Sequence, residues 1–353
     1  GGYPITPASD ILKYLANYKN FGVKTFQAED EIAAITSVLG AAFAGDLAVT
    51  ASSGPGIALK GEAIGLGVIT ELPLIIINIQ RGGPSTGLPT KTEQSDLNQA
   101  IYGRNGECPC VVLATSSPAD CFDTAIEAAR IAIEHMIPVM LLSDGYIANG
   151  SEPWKIPNFD DIPKITPNFI KKEDGEFLPY AHDKKTLARK WAIPGMVGYE
   201  HRIGGLEKSE GTGNVDYDPE NHHFMTLQRQ KKVDIIADFI PKAEVYGKSS
   251  GDLLVLSWGG VFGSVRSAVS SAQENDLSVS HIHLRHLNPF PKNLGQLLLN
   301  FDKILIPELN MGQLLSLIRA KYLVDAKGLN KIAGKPFASS EILLKIKSIL
   351  KVK

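Results

Sequence analysis

This sequence predicts an α/β fold built on parallel sheets, and three features predict it. Apolar, mostly branched runs recur at residues 74–79, 111–114, 139–142, 253–256 and 303–306, as strands buried on both faces require. Stretches with apolar residues at helical spacing alternate with those runs. The alternation occurs twice, so two α/β units are expected, one on each side of an irregular segment.

The elements follow in order. Leu47-Ala-Val-Thr-Ala-Ser52 reads as a short buried strand that runs into a glycine-rich turn, Ser53-Gly-Pro-Gly56. Residues 74–79 form the next strand and 111–114 another. Ser117 is placed as the cap of the following helix, with Pro118 in its first turn. Phe122, Ile126, Ala129, Ile133 and Met136 share one face of it, Pro138 stops it, and 139–142 supply a further strand. From 151 to 247 prolines, glycines and charges dominate, with one helix expected around 225–239. So long an irregular stretch is unusual inside a compact unit. It reads as a connecting segment that wraps and packs against something, a partner being one candidate. The second unit begins at Asp252 with a strand over 253–256, a turn at Gly259-Gly260 and a helix over 261–273 that turns Val265, Ala268 and Val269 inward. Residues 279–284 alternate with period two, and 303–306 form a last short strand. The expected organisation is a first domain over 1–160, a connecting segment over 161–247 and a second domain over 248–353.

Composition narrows the function. A chain of 353 residues exceeds one comfortable core. Its 44% hydrophobic and 21% charged residues are those of an ordinary globular protein. A net charge of −2 leaves no basic footprint for nucleic acid or an anionic membrane. The most apolar stretch, 64–79, is broken by Glu71 and Pro73 and is no bilayer span. The opening Gly-Gly-Tyr-Pro does not resemble a signal peptide. Three cysteines, Cys108, Cys110 and Cys121, argue against a disulfide scaffold and for a reducing cytoplasm. Cys108-Pro-Cys110 alone lacks the four thiolates of an iron–sulfur cluster.

Several motifs carry chemistry, each beside a plainer reading. Gly54-Pro-Gly56 and Gly259-Gly260 miss the dinucleotide spacing and the P-loop lysine, so both are read as tight strand-to-helix turns. Asp144-Gly145 is preceded by Ser143, and no helix is expected over the Tyr146-Ile-Ala-Asn149 that follows. Glu29-Asp30-Glu31 opens a helix, where the dipole favours carboxylates. The residues behind it are small and apolar, so one of these carboxylates can be buried and act as an acid–base group. Arg81 follows a strand inside Gln80-Arg-Gly-Gly-Pro-Ser-Thr-Gly-Leu-Pro-Thr-Lys-Thr-Glu-Gln94. A guanidinium among glycines suits bidentate binding of a carboxylate, though a solvated loop arginine is an equal alternative. Thr6, between Pro4 and Pro7, offers a hydroxyl on stiffened backbone or simply forms a turn.

Taken together, Tyr3-Pro-Ile-Thr-Pro7, Glu29-Asp-Glu31, Thr50-Ala-Ser-Ser-Gly54 and the 80–94 run resemble, in order, the α subunits of 2-oxoacid:ferredoxin oxidoreductases. Glu308-Leu-Asn-Met-Gly-Gln313 and Gly334-Lys-Pro-Phe337 look like the end of the same subunit. The Arg-Gly-Gly-Pro-Ser-Thr-Gly run points to the 2-oxoglutarate branch rather than to pyruvate enzymes. The resemblance implies that the first domain binds the aminopyrimidine of thiamine diphosphate and that the second is transketolase C-terminal-like. Glu31, nine residues before Gly40, stands where such enzymes keep their cofactor-activating glutamate, which exchanges a proton with the pyrimidine N1′. Arg81 and Thr6 are implied to hold the substrate's C1 carboxylate. Lys91 is assigned to the distal carboxylate of 2-oxoglutarate from its charge and proximity, and Ser52 and Ser53 to the pyrimidine edge.

The departures inform as well. This superfamily holds Mg²⁺ with a Gly-Asp-Gly motif, absent here, so Mg²⁺, the diphosphate and a [4Fe–4S] centre are expected in a β subunit. No metal ligand is expected in this chain. An (αβ)₂ assembly acting with CoA and ferredoxin follows from the resemblance. Many such α subunits carry a γ-type domain ahead of the Tyr-Pro-Ile-Thr-Pro motif, and the present sequence reads as lacking one. Pyruvate or a branched-chain 2-oxoacid as substrate, a scaffold role without catalysis, and a flavin or nicotinamide carrier remain the alternatives.

Overall fold

The computed structural model describes residues 1–171 and 175–352. α1 (Ser9–Leu15) lies on the surface and buries none of its residues. α2 (Glu31–Phe43) starts where the Asp30 carboxylate accepts the Ala33 amide at 2.7 Å, and Ala34, Ile35, Val38, Leu39 and Ala42 form its buried face. β1 (Ala48–Ser52) passes through Ser53 straight into α3 (Gly54–Leu59), so the glycine-rich turn is itself the first turn of a helix. α4 (Gly61–Thr70) ends at Glu71, in left-handed conformation with φ 54°. β2 (Leu74–Gln80), α5 (Leu97–Tyr102), β3 (Val111–Ala114), α6 (Asp120–His135), β4 (Pro138–Asp144) and α7 (Gly145–Ala148) follow.

Three local expectations need correction here. α6 begins at Asp120, not at Ser117. Residues 117–119 form a turn instead, with the Ala119 amide given to Glu152 at 2.6 Å and the Ser117 hydroxyl accepting the Asp120 amide at 3.3 Å. The helix is ended by Met136 with φ 50°, and Pro138 opens β4 rather than stopping a helix. The stretch after Asp144 is helical, because that carboxylate accepts the amides of Tyr146 and Ile147 and so caps α7.

The remaining elements are α8 (Pro219–Ile235), β5 (Gly251–Trp258), α9 (Phe262–Glu274), β6 (Val279–Leu284), β7 (His286–Asn288), α10 (Leu294–Leu299), β8 (Phe301–Glu308), α11 (Gln313–Tyr322), β9 (Ala326–Asn330) and α12 (Ser339–Leu350). One sheet has the order β1-β2-β4-β3-β7 and the other β6-β5-β8-β9. All pairings are parallel except that of β3 with β7. Among the described residues no helix is long and apolar enough to cross a membrane.

The strand over 279–284, which alternates with period two in the sequence, is buried on both faces, with only His283 partly accessible. Neighbouring β5 shows why. Leu253 and Val255 pack with α9 and α12, while Leu254, Leu256 and Trp258 join a core that also holds Leu39, Leu72 and Leu74 of the first unit. The two α/β units therefore share one continuous core, and β7 of the second completes the sheet of the first. The connecting segment packs against its own chain. Trp191 Nε1 donates to Ala42 O at 3.1 Å, Arg189 Nε donates to Thr70 O at 3.2 Å, and Glu71 pairs in the interior with Lys232 and His182.

Candidate active site

Glu31 is the first residue of α2 and is buried, while its neighbour Asp30 supplies the cap. One carboxylate thus satisfies the helix start and the other is left to face inward. Opposite it stands Gly56, in the first turn of α3. A Cβ there would strike Ser52 Oγ and come within 2.9 Å of Glu31 Cγ and Oε1. Only a glycine lets α3 pass this close, so β1, α2 and α3 converge on the carboxylate. The Ser52 and Ser53 hydroxyls are buried without a hydrogen-bond partner, as is Thr50 Oγ1. Buried hydroxyls are normally satisfied, so this is where a polar ligand fits.

Arg81 and Thr6 form a second cluster. Arg81 sits just past β2, buried, with Nη1 donating to the Thr6 carbonyl at 2.5 Å and Nε left without a partner. It is therefore not a solvated loop arginine. Thr6 is engaged through its carbonyl, while the residue itself lines a cleft of about 410 Å³ together with Lys91, Thr92, Tyr146, Asn149 and Gly334. Lys91 is exposed and its stem lies against Gly334, where an added Cβ would sit 2.8 Å from Lys91 Cβ.

The two clusters do not touch directly. Asp96 lies between them: a Cβ on Gly54 would meet Asp96 Oδ2 at 2.9 Å, Asn78 Nδ2 donates to Asp96 Oδ2 at 3.0 Å, and Ser95 Oγ bridges Asp96 to the Arg81 carbonyl. Burial raises the Asp96 carboxyl above its usual range, against the hydrogen bonds of Asn78 and Ser95 and the charge of Arg81. Asp96 was not singled out in the sequence, where it is one acid in a polar run. Asn78 left a signal, as the one polar residue inside the apolar run 74–79. Lys60, fully buried between α3 and α4, was also missed.

The motifs near the end of the chain meet the loop over 81–96. Gln94 Nε2 donates to Trp258 O at 2.6 Å, Gln94 Oε1 accepts the Leu309 amide at 2.8 Å, and Asn310 Nδ2 donates to Gln94 O at 2.8 Å. Glu308 caps α11, accepting the Leu314 and Leu315 amides at 2.8 and 3.0 Å. Asp144 accepts from Thr92 Oγ1, Tyr146 N, Ile147 N and Gly260 N. Its carboxylate is thus spent on joining the two units.

Residues 1–218 match the family described as pyruvate flavodoxin/ferredoxin oxidoreductase, thiamine diphosphate-binding, and residues 251–342 match pyruvate:ferredoxin oxidoreductase core domain II. The chain belongs to the 2-oxoacid:ferredoxin oxidoreductase α-subunit family. It is 56% identical to the 2-oxoglutarate oxidoreductase subunit KorA of Mycobacterium tuberculosis, over 97% of this chain and 52% of the relative. It is 33% identical to the 2-oxoglutarate synthase subunit KorA of Methanothermobacter thermautotrophicus, over 97% of this chain and 91% of the relative. A solved 2-oxoglutarate:ferredoxin oxidoreductase from Magnetococcus marinus, with 2-oxoglutarate, coenzyme A and succinyl-CoA bound, superposes with a TM-score of 0.94 at 35% identity, over 99% of this chain and 61% of that one. The chain thus spans about half the length of the M. tuberculosis relative. Within the family frame, the buried Glu31 and the Arg81–Thr6 contact occupy the pieces of the sequence that carried the resemblance.

Proposed function

We propose that this chain is the pyrimidine-binding α component of a thiamine-diphosphate-dependent oxidoreductase that converts 2-oxoglutarate and CoA to succinyl-CoA, with electrons passing to ferredoxin. The observation that carries the reading is Glu31, a buried helix-start carboxylate with Gly56 pressed against it and unpartnered hydroxyls alongside. The likeness to a solved enzyme with 2-oxoglutarate, coenzyme A and succinyl-CoA bound supports the choice of substrate.

The residues fit the cofactor's aminopyrimidine. Ser52 and Ser53 have buried hydroxyls without partners to offer its polar edge, beside the Glu31 carboxylate. Thiamine diphosphate, when bound, supplies a carbon nucleophile for the 2-oxo carbon and takes up the electron pair left by decarboxylation. Glu31 holds and exchanges the proton at the pyrimidine nitrogen. Arg81, fixed by the Thr6 carbonyl, presents its remaining N–H groups to the C1 carboxylate, and Lys91 at the cleft edge takes the distal one.

Residues 1–160 are proposed as the pyrimidine-binding domain, 161–247 as the connecting segment and 248–353 as the transketolase C-terminal-like domain. Asp144 is committed to four donors, which supports Mg²⁺ and the diphosphate being held by a β subunit. That subunit would also carry the [4Fe–4S] centre, in an (αβ)₂ cytoplasmic assembly. The test is to produce the chain with its β subunit and measure CoA-dependent reduction of ferredoxin by 2-oxoglutarate, pyruvate and a branched-chain 2-oxoacid. Higher kcat/KM for pyruvate than for 2-oxoglutarate would overturn the substrate. Unchanged turnover in Glu31→Gln would make the chain a scaffold.

A further inference from the structure

Lys60 belongs to no motif discussed so far. It sits at the joint of α3 and α4, with no exposed surface, and its Nζ has no hydrogen-bond partner. A buried ammonium without a partner is unfavourable unless an anion nearby compensates it. The backbone ties Lys60 to the turn that faces one. Lys60 N donates to Gly56 O at 3.1 Å, so one helical turn carries both Gly56, pressed against Glu31, and Lys60. The charges that favour its protonated form are Glu31 first and Asp30 second, both at the start of α2. Asp30 is already committed to the Ala33 amide.

We propose that Lys60 is a positioning residue for Glu31, a buried cation on the turn packed against the carboxylate that keeps it directed at the aminopyrimidine site. The inference rests on the assignment of Glu31 made above. Burial brings the Lys60 amine down to about 8, against the pull of Glu31 and Asp30, so its charge responds to pH within the working range.

The test uses the α–β complex with Lys60→Met, which keeps the stem and removes the charge, and with Lys60→Arg, which keeps the charge. Thiamine diphosphate binding is followed by calorimetry in two buffers of different ionisation enthalpy, which gives the protons exchanged on binding. Lys60→Met is expected to bind the cofactor several-fold more weakly and with altered proton exchange. Lys60→Arg should restore most of both. Glu31→Gln/Lys60→Met should lose no more than Glu31→Gln alone, because Lys60 acts through Glu31. Wild-type cofactor affinity and proton exchange in Lys60→Met would overturn the inference, as would additive losses in the double variant. Failure of Lys60→Met to assemble would also count against it, by making the residue structural. If the wild-type complex oxidises no 2-oxoacid yet Lys60→Met changes proton exchange on cofactor binding, the proposed reaction falls and the role of Lys60 stands.

Discussion

Gln94 reaches from the loop over 81–96 to Trp258, its Nε2 donating to the Trp258 carbonyl at 2.6 Å across the boundary between the two sheets. Its Oε1 accepts the Leu309 amide at 2.8 Å and its own carbonyl accepts from Asn310, so one residue ties the loop to the ends of β5 and β8. Gln94→Ala leaves a buried carbonyl and a buried amide without partners. Each costs about 1–3 kcal/mol, so the urea unfolding midpoint should fall clearly, with Lys91 displaced and the KM for 2-oxoglutarate raised. An unchanged midpoint would show that the shared core alone holds the domains together.

Gly56→Ala probes the approach of α3 to Glu31. The new methyl would overlap Ser52 Oγ and crowd Glu31 Cγ and Oε1 at 2.9 Å. The expected outcome is a folded protein that binds thiamine diphosphate at least about tenfold more weakly, since a displacement on the order of 1 Å at a catalytic group is costly. Calorimetric titration of the complex measures it, and wild-type affinity would place the cofactor elsewhere.

Arg81 and Lys91 should separate by substrate. Lys91→Met removes a charge proposed to meet only a second carboxylate. It should raise KM for 2-oxoglutarate about tenfold or more while leaving pyruvate kinetics nearly unchanged. Arg81→Lys loses the fork and should lower kcat/KM for both acids alike. Equal effects of Lys91→Met on both acids would remove it from the specificity assignment.

Glu71 lies buried with Lys232 and His182, where the end of α4 meets the connecting segment and α8. Burial opposes its charge, but the two partners outweigh burial and hold the carboxyl well below its usual range. Glu71→Gln strands the Lys232 ammonium and should cost about 3–5 kcal/mol, most of it recovered in Glu71→Gln/Lys232→Met. Equilibrium unfolding of the three proteins decides this; a near-neutral single variant would show the pair is not closed off from water.

Glu127 sets a pH dependence. Burial pushes its carboxyl up, but hydrogen bonds from His286 and Arg130 prevail and bring it down to about 2. A depressed carboxyl contributes stability that is complete above its unfolded value, about 4.3, and is lost as pH falls through about 2 in the folded protein. Because His286 belongs to β7, acid should first loosen that strand from β3. Urea midpoints at pH 6 and pH 3 should differ less in Glu127→Gln than in the wild type, and an equal difference would assign the acid lability to other groups.

By itself the sequence determined what depends on neighbours along the chain. The apolar runs at 74–79, 111–114, 139–142 and 253–256 are strands because branched side chains covered on both faces leave little alternative. The strand-to-helix turn at Gly259-Gly260 and the helix start at Asp30 and Glu31 were equally legible, as was the ordered set of motifs that marks the family. Helix ends were less so: the start at Asp120 was settled by Glu152, which lies far along the chain and takes the amide of Ala119. Only tertiary structure decided which carboxylate of Glu29-Asp30-Glu31 is buried, because that depends on Gly56 packing against Glu31. It also decided that Arg81 is buried against Thr6, that Lys60 is buried at the joint of α3 and α4, and that β7 joins the first sheet. These relations link residues far apart in the chain, and their energies come from burial and long-range contact that no local pattern of residues encodes.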